Sequence, residues 1–209
     1  MNIETFTDLS FGTNSYLIWV EDSKEAVLID AGLSTAMILE FLESGGLQLD
    51  AILITHAHPD HIAGVADLAE ATGADVYLHE TEIAAVEMMP QMMLAMMGIE
   101  DLKKPEDIKP LAGGQELDIA GLHIKVLHTP GHSPGSTSFL VDDALFDGDL
   151  VFRGSIGRTD FPGGDFDALL RSVREHVFTL DPETKIYPGH MGTTTVGWEK
   201  KTNPFLAGQ

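Results

Sequence analysis

The run Thr55-His56-Ala57-His58-Pro59-Asp60-His61 places four side chains able to ligate a metal within six positions, directly after the apolar segment 51–54. This constrains the fold more than any other feature, because a buried strand must end there and turn so that the donors converge. In an extended backbone alternate residues share a face, so His56 and His58 can reach one ion. Asp60 and His61 fall on the turn that follows, free to face a second. With no cysteine in the chain, thiolate ligands, thiolate nucleophiles and disulfides are excluded and nitrogen and oxygen must hold any metal.

The 209 residues suffice for one compact domain over 1–209, and 44% hydrophobic with 22% charged content is ordinary for a soluble globular protein. A formal charge of -21 opposes affinity for nucleic-acid phosphates or anionic membranes. The N-terminus lacks the basic, then apolar pattern of a secretion signal, and the methionine-rich stretch Met88 to Ile99 is too short to span a bilayer. A cytoplasmic protein acting on a small molecule is expected, with neither nucleic acid nor membrane as partner; the oligomeric state is not legible.

Residues 14–20 and 26–30 read as a β-hairpin, 34–44 as a helix stopped by Gly45-Gly46, 51–55 as a buried strand, 64–72 as a helix ending at Gly73, and 75–78 as another strand. Strand signals return at 116–119, 122–127, 136–141 and 144–146. Phe166, Leu169, Leu170, Val173 and Val177 then form one apolar helical stripe, and 185–187 is a last strand. Strands then helices, twice, suit an α+β arrangement of two sheets packed face to face with helices outside. Three further potential ligands stand at strand-to-loop junctions, where a sheet can aim them: His132 in TPGHSPG, Asp149 in FDGD and His190 in YPGH.

THAHPDH, TPGHSPGS, FDGDLVF and YPGH, in this order, resemble the metallo-β-lactamase superfamily, whose fold is a four-layer αββα sandwich with metal at one edge. GTNSYLI at 12–18, VLIDAG at 27–32, FRGSIGRTDFPGGD at 152–165 and WEKKTNPFL at 198–206 are similar to the short glyoxalase II-like (hydroxyacylglutathione hydrolase-like) enzymes. The resemblance implies a first metal on His56, His58 and His132, a second on Asp60, His61 and His190, and Asp149 bridging both. Two divalent ions, zinc or else iron or manganese, would share a hydroxide that attacks a thioester such as S-lactoylglutathione, with Asp60 orienting it. Larger members carry a C-terminal helical domain that grips glutathione; none is expected here.

Other readings of the same residues stay open. A mononuclear iron persulfide dioxygenase also resembles the chain through its GRTD string, a lactonase or another thioesterase would use the same centre, and a module that binds metal or a partner without turnover is the alternative of a different class. Asp30 suits either a hydrogen bond to a ligand histidine or a turn cap. Arg158 suits either a substrate contact or an internal pair with Asp160. His79, His123, His128 and His176 read as ordinary surface or core histidines. Met88, Met89, Met92, Met93, Met96 and Met97 suit a core-packed helix, or an apolar lid or subunit contact.

Overall fold

A computed structural model describes every residue except Pro90, Met97, Asp101 and Gln209, and at Met93 and Met96 the backbone alone. Residues 1–111 with 118–122 form one compact unit, and 112–117 with 123–209 a second.

In the first unit β1 (Asn2–Thr7), β2 (Asn14–Trp19) and β3 (Glu25–Ile29) are antiparallel neighbours. Helix α1 (Thr35–Gly45) then crosses to β4 (Gln48–Ile54), and α2 (Pro59–Ile62) and α3 (Val65–Thr72) cross to β5 (Asp75–His79). Helices α4 (Glu80–Glu87) and α5 (Gln91–Met96) precede β6 (Ile108–Leu111). The strands from β3 to β6 are parallel, and the sheet order is β1-β2-β3-β4-β5-β6. Every second residue of the central strands (Ala26, Leu28, Ile52, Ile54, Val76, Leu78) joins a core with Ile38 and Leu42 of α1 and Val65 and Leu68 of α3. That period of two against three to four is what the strand and helix patterns predict.

The edge strands β1 and β6 were not among the expected elements. In β1 only Phe6 is fully buried, and in β6 Pro110 interrupts the strand pattern, which an edge position tolerates because no ladder donor is needed there. The methionines also divide differently from one continuous helix. Met88 closes α4, 73% exposed; Met92 on α5 is 76% exposed, and Met89 packs on the core. The side chains of Met93, Met96 and Met97 lie outside the described residues.

The remaining elements, which fall in the second unit apart from residues 118–122, are β7 (Glu116–Ile119), β8 (Leu122–His128), β9 (Thr137–Val141), β10 (Ala144–Gly148), a small hairpin of β11 (Val151–Phe152) and β12 (Ser155–Ile156), helix α6 (Phe166–Ser172), β13 (Lys185–Pro188), β14 (Thr194–Thr195) and α7 (Val196–Thr202). Their main sheet runs β14-β13-β10-β9-β8-β7, with β10 and β13 parallel. The helix expected to run on to Val177 changes character after Ser172. Residues Val173–Val177 widen into a π turn, where Phe178 N–H reaches the Val173 carbonyl at 2.8 Å. Leu169, Leu170, Val173 and Val177 stay in one core with Leu145, Leu150 and Ile186, whereas Phe166, expected in that stripe, is 44% exposed. It sits at the first residue of α6, just past the Asp165 cap, where the helix face has not yet reached the core. Among the described residues no helix is long and apolar enough to cross a membrane.

Candidate metal centre

Four of the expected donors leave β4 together. Pro59 opens the short α2, its missing N–H harmless at a helix start, and His58 precedes it in extended conformation. His56 Nε2 and His58 Nδ1 stand 3.0 Å apart, the His56 and His61 rings are 4.1 Å apart, and His61 Nε2 is 3.6 Å from Asp60 Oδ2.

Hydrogen bonds fix which nitrogen three of the rings present. Asp30, at the end of β3 with a left-handed φ of 56°, accepts the Thr55 N–H through Oδ1 at 2.7 Å and the Thr55 hydroxyl through Oδ2 at 2.7 Å. The same Oδ2 is 2.8 Å from His61 Nδ1, which must therefore donate. Having spent its proton on Asp30, the Thr55 hydroxyl accepts from His56 Nδ1 at 3.1 Å. Both imidazoles are thereby held with Nδ1 protonated and Nε2 left as a lone pair, the form a metal ligand needs. Of its two expected roles Asp30 is placed in the first, bonded to a histidine of the run. Asp60 Oδ2 accepts from the Thr13 hydroxyl at 2.8 Å, and Thr13 is set by a turn in which Asp8 accepts the N–H groups of Ser10, Phe11 and Thr13. The carboxylate of Glu82 on α4, 3% exposed, accepts the N–H of Ala57 between the first two histidines at 3.0 Å.

The second unit brings its three expected donors together as well. Asp149 Oδ2 lies 3.5 Å from His132 Nε2 and 3.6 Å from His190 Nε2, so one oxygen faces both imidazoles. His132 Nδ1 donates to the Arg158 carbonyl at 2.7 Å, which gives this ring the same tautomer as His56 and His61. The loop carrying His132 is pinned to α6: Gly131 adopts φ 144°, and a Cβ there would lie 2.3 Å from the Leu169 backbone. Only glycine permits that approach. Two residues before Asp149, buried Asp147 accepts the Val151 N–H through Oδ2 at 3.0 Å; burial pushes its carboxyl well above the usual carboxylate range, with the charges of Asp149 and Glu199 adding.

These donor sets fit a divalent cation. Two ligands about 2.0–2.1 Å from one tetrahedral ion lie ~3.3 Å from each other, close to the 3.5 and 3.6 Å separations, which are too long for hydrogen bonds. His56 Nε2, a lone pair, and His58 Nδ1 at 3.0 Å share one hydrogen bond that a cation between them would replace.

Arg158 makes the internal pair rather than an open contact. Its guanidinium forks onto Asp160 with two bonds of 2.8 Å and covers the Phe161 ring at 3.6 Å, and the pairing lowers the Asp160 carboxyl to about 2. His79, His123, His128 and His176 belong to neither donor set: His79 caps α4, and His128 bonds the Pro134 carbonyl. Thr13, Thr55 and Glu82 are the participants that sequence reasoning did not assign. The first two lie in strings already singled out, whereas nothing in the sequence around Glu82 marks it.

The chain is 34% identical to the hydroxyacylglutathione hydrolase GloC of Haemophilus influenzae, covering 99% of this chain and 98% of that one. It is 40% identical to the probable metallo-hydrolase YqgX of Bacillus subtilis, covering 93% and 92%. Among solved structures, TTHA1623 in a di-iron-bound form aligns with a TM-score of 0.87 at 40% identity over 97% of this chain and 100% of that one. ETHE1 from Myxococcus xanthus aligns at 0.83 with 31% identity over 100% and 86%. Residues 10–190 match the metallo-β-lactamase superfamily, and the chain belongs to it, with the α+β fold that its two mixed, helix-bearing sheets display.

Proposed function

We propose that the protein is a metal-dependent thioesterase of the glyoxalase II type, cleaving a hydroxyacylglutathione such as S-lactoylglutathione to a hydroxy acid and free thiol. The observation that carries this is the complete set of seven donors, three of whose imidazoles are held in the ligating tautomer, in a chain similar over its full length to a hydroxyacylglutathione hydrolase. In this reading His56, His58 and His132 serve one cation, Asp60, His61 and His190 a second, and Asp149 both. Divalent ions there would acidify a water and polarise the thioester carbonyl.

The protein's own groups supply orientation. Asp30 and Thr55 keep His56 and His61 from turning, and Asp60, steadied by the Thr13 hydroxyl, offers a carboxylate that can accept a proton from the attacking water. Zinc, iron and manganese all suit such ligation, and the di-iron form of a similar structure makes iron worth loading beside zinc.

Thiol release from S-lactoylglutathione should be measured with the protein stripped of metal and then reloaded with zinc or iron. Turnover that vanishes on stripping and returns on reloading is the expected result; no release by fully loaded protein rejects this substrate and directs attention to other thioesters and lactones. One second reading, persulfide oxidation at a single iron, is favoured by the Gly157-Arg158-Thr159-Asp160 string. Oxygen consumption in the presence of a glutathione persulfide would select it.

A further inference from the structure

We propose that Glu199 and Asn203 are positioning residues for His132, acting through the β11–β12 hairpin and the Arg158 carbonyl. The proposal rests on the metal-ligand role given to His132 above. Both side chains belong to the tail string 198–206, to which the reaction assigns no part.

Glu199 and Asn203 are each 0% exposed. Burying a carboxylate is costly unless its oxygens are met by donors, and three donors meet this one: the Thr194 hydroxyl on Oε1, and Gly154 N–H at 3.0 Å and Asn203 Nδ2 at 2.8 Å on Oε2. Among the described residues no lysine or arginine pairs with Glu199. An apolar residue would fill the same space at lower cost, so what the carboxylate adds is direction. Asn203 is used as fully. Its Nδ2 reaches the Ser155 carbonyl at 2.8 Å and the Phe152 carbonyl at 3.5 Å, while Oδ1 accepts the Phe205 N–H at 3.0 Å. Two side chains one helical turn apart thus hold the Ser155 carbonyl and the Gly154 N–H of the turn 152–155.

Little slack separates that turn from His132. Three residues on, the Arg158 carbonyl accepts the His132 Nδ1–H at 2.7 Å. Between them Gly157 bonds the Leu150 carbonyl at 3.2 Å, and a Cβ on it would lie 1.8 Å from the Asp149 carbonyl oxygen and 3.3 Å from His132 Nδ1. A peptide wedged so tightly transmits a shift of the hairpin instead of absorbing it. The consequence falls on His132, whose Nε2 faces Asp149 only while Nδ1 stays bonded to Arg158.

The test reads the ring itself, without metal. Long-range proton–nitrogen correlations of the imidazoles in the metal-free protein at pH 8 should show His132 as one neutral tautomer, protonated at Nδ1. Asn203→Ala and Glu199→Ala should give mixed tautomers, and Glu199→Gln should restore the single form, since its amide oxygen still accepts and its NH2 can donate to Thr194. Zinc affinity by chelator competition should fall about 10–100-fold in the alanine variants, the usual cost of losing an outer partner of a ligand. A melting temperature that drops while tautomer and zinc affinity match the parent overturns the proposal, leaving a merely structural tail. Should Asn203→Ala not fold, Asn203→Ser, too short to reach Ser155, is judged by the same outcomes. If the parent protein binds no metal, the reaction proposed above fails, but the tautomer comparison still decides this inference.

Discussion

Asp60 Oδ2 receives the Thr13 hydroxyl from one side and faces His61 Nε2 at 3.6 Å on the other. The two contacts differ in kind: the first is a hydrogen bond that fixes the carboxylate's rotamer, and the second is a spacing that a shared cation would fill. Asp60→Ala should therefore remove a ligand and a proton acceptor together while leaving His56, His58 and the Asp30 bonds to Thr55 in place. Metal analysis after gel filtration should fall from two ions per chain to one, and thioester turnover should drop at least ~100-fold, the scale of losing a positioned acid–base group. Retention of parental turnover would remove Asp60 from the reaction. Thr13→Val, which deletes only the hydroxyl, should fall between the parent and Asp60→Ala because the carboxylate is then present but less firmly held.

At the scale of elements, α4 reaches the site through Glu82. Glu82 accepts the Ala57 N–H at 3.0 Å, and Ala57 separates His56 from His58, so the helix holds the run from behind. Glu82→Ala leaves that buried N–H without its acceptor, a loss of about 1–3 kcal/mol, which for a chain of this size lowers the melting temperature by roughly 2–4 °C per kcal/mol. Glu82→Gln keeps an acceptor and should recover most of it in thermal melts; equal losses in both variants would mean that the charge, not the bond, is what counts. This helix also marks the limit of what the sequence discloses. Helices α1 and α3 were readable because each buries one face and so writes its period into the chain, and strands β3 and β4 because burial on both faces makes each a continuous apolar run. The donors were readable because type, order and strand-end position coincide. Helix α4 carries weak patterning, with Glu82 and Val86 buried and Glu80, Ala84 and Ala85 exposed, and β6 contains a proline, so periodicity is silent on both. Glu82, Glu199 and Asn203 were silent for a related reason. Key partners of these buried side chains lie far along the chain, Ala57 25 positions from Glu82, Gly154 45 from Glu199 and Ser155 48 from Asn203, and no local window contains them.

At the scale of the whole molecule the charge of -21 acts on every element at once. Thirty-three carboxylates against 12 cations repel one another in the folded state more than in the extended unfolded chain, where they lie farther apart. Among the described residues the Lys and Arg ion pairs that offset this are exposed, Lys103 with Asp67 and Glu70, Lys104 with Glu87, Lys109 with Asp75 and Arg158 with Asp160 among them, and exposed pairs each contribute about 0–1 kcal/mol. Salt weakens attraction and repulsion alike, shortening the screening length from about 10 Å at 0.1 M to about 3 Å at 1 M. With so few cations to form pairs and so large an excess of like charge to screen, repulsion outweighs attraction. The melting temperature should accordingly rise as sodium chloride is raised from 20 mM to 1 M at fixed metal loading. The same titration on a variant with six exposed acidic residues changed to lysine, such as Glu21, Glu40, Glu43, Glu100, Glu106 and Glu175, should show a shallower rise, because its net charge is closer to balance. A melting temperature that falls with salt in the parent would show that the few ion pairs outweigh the repulsion, and that the acidic surface costs the fold nothing.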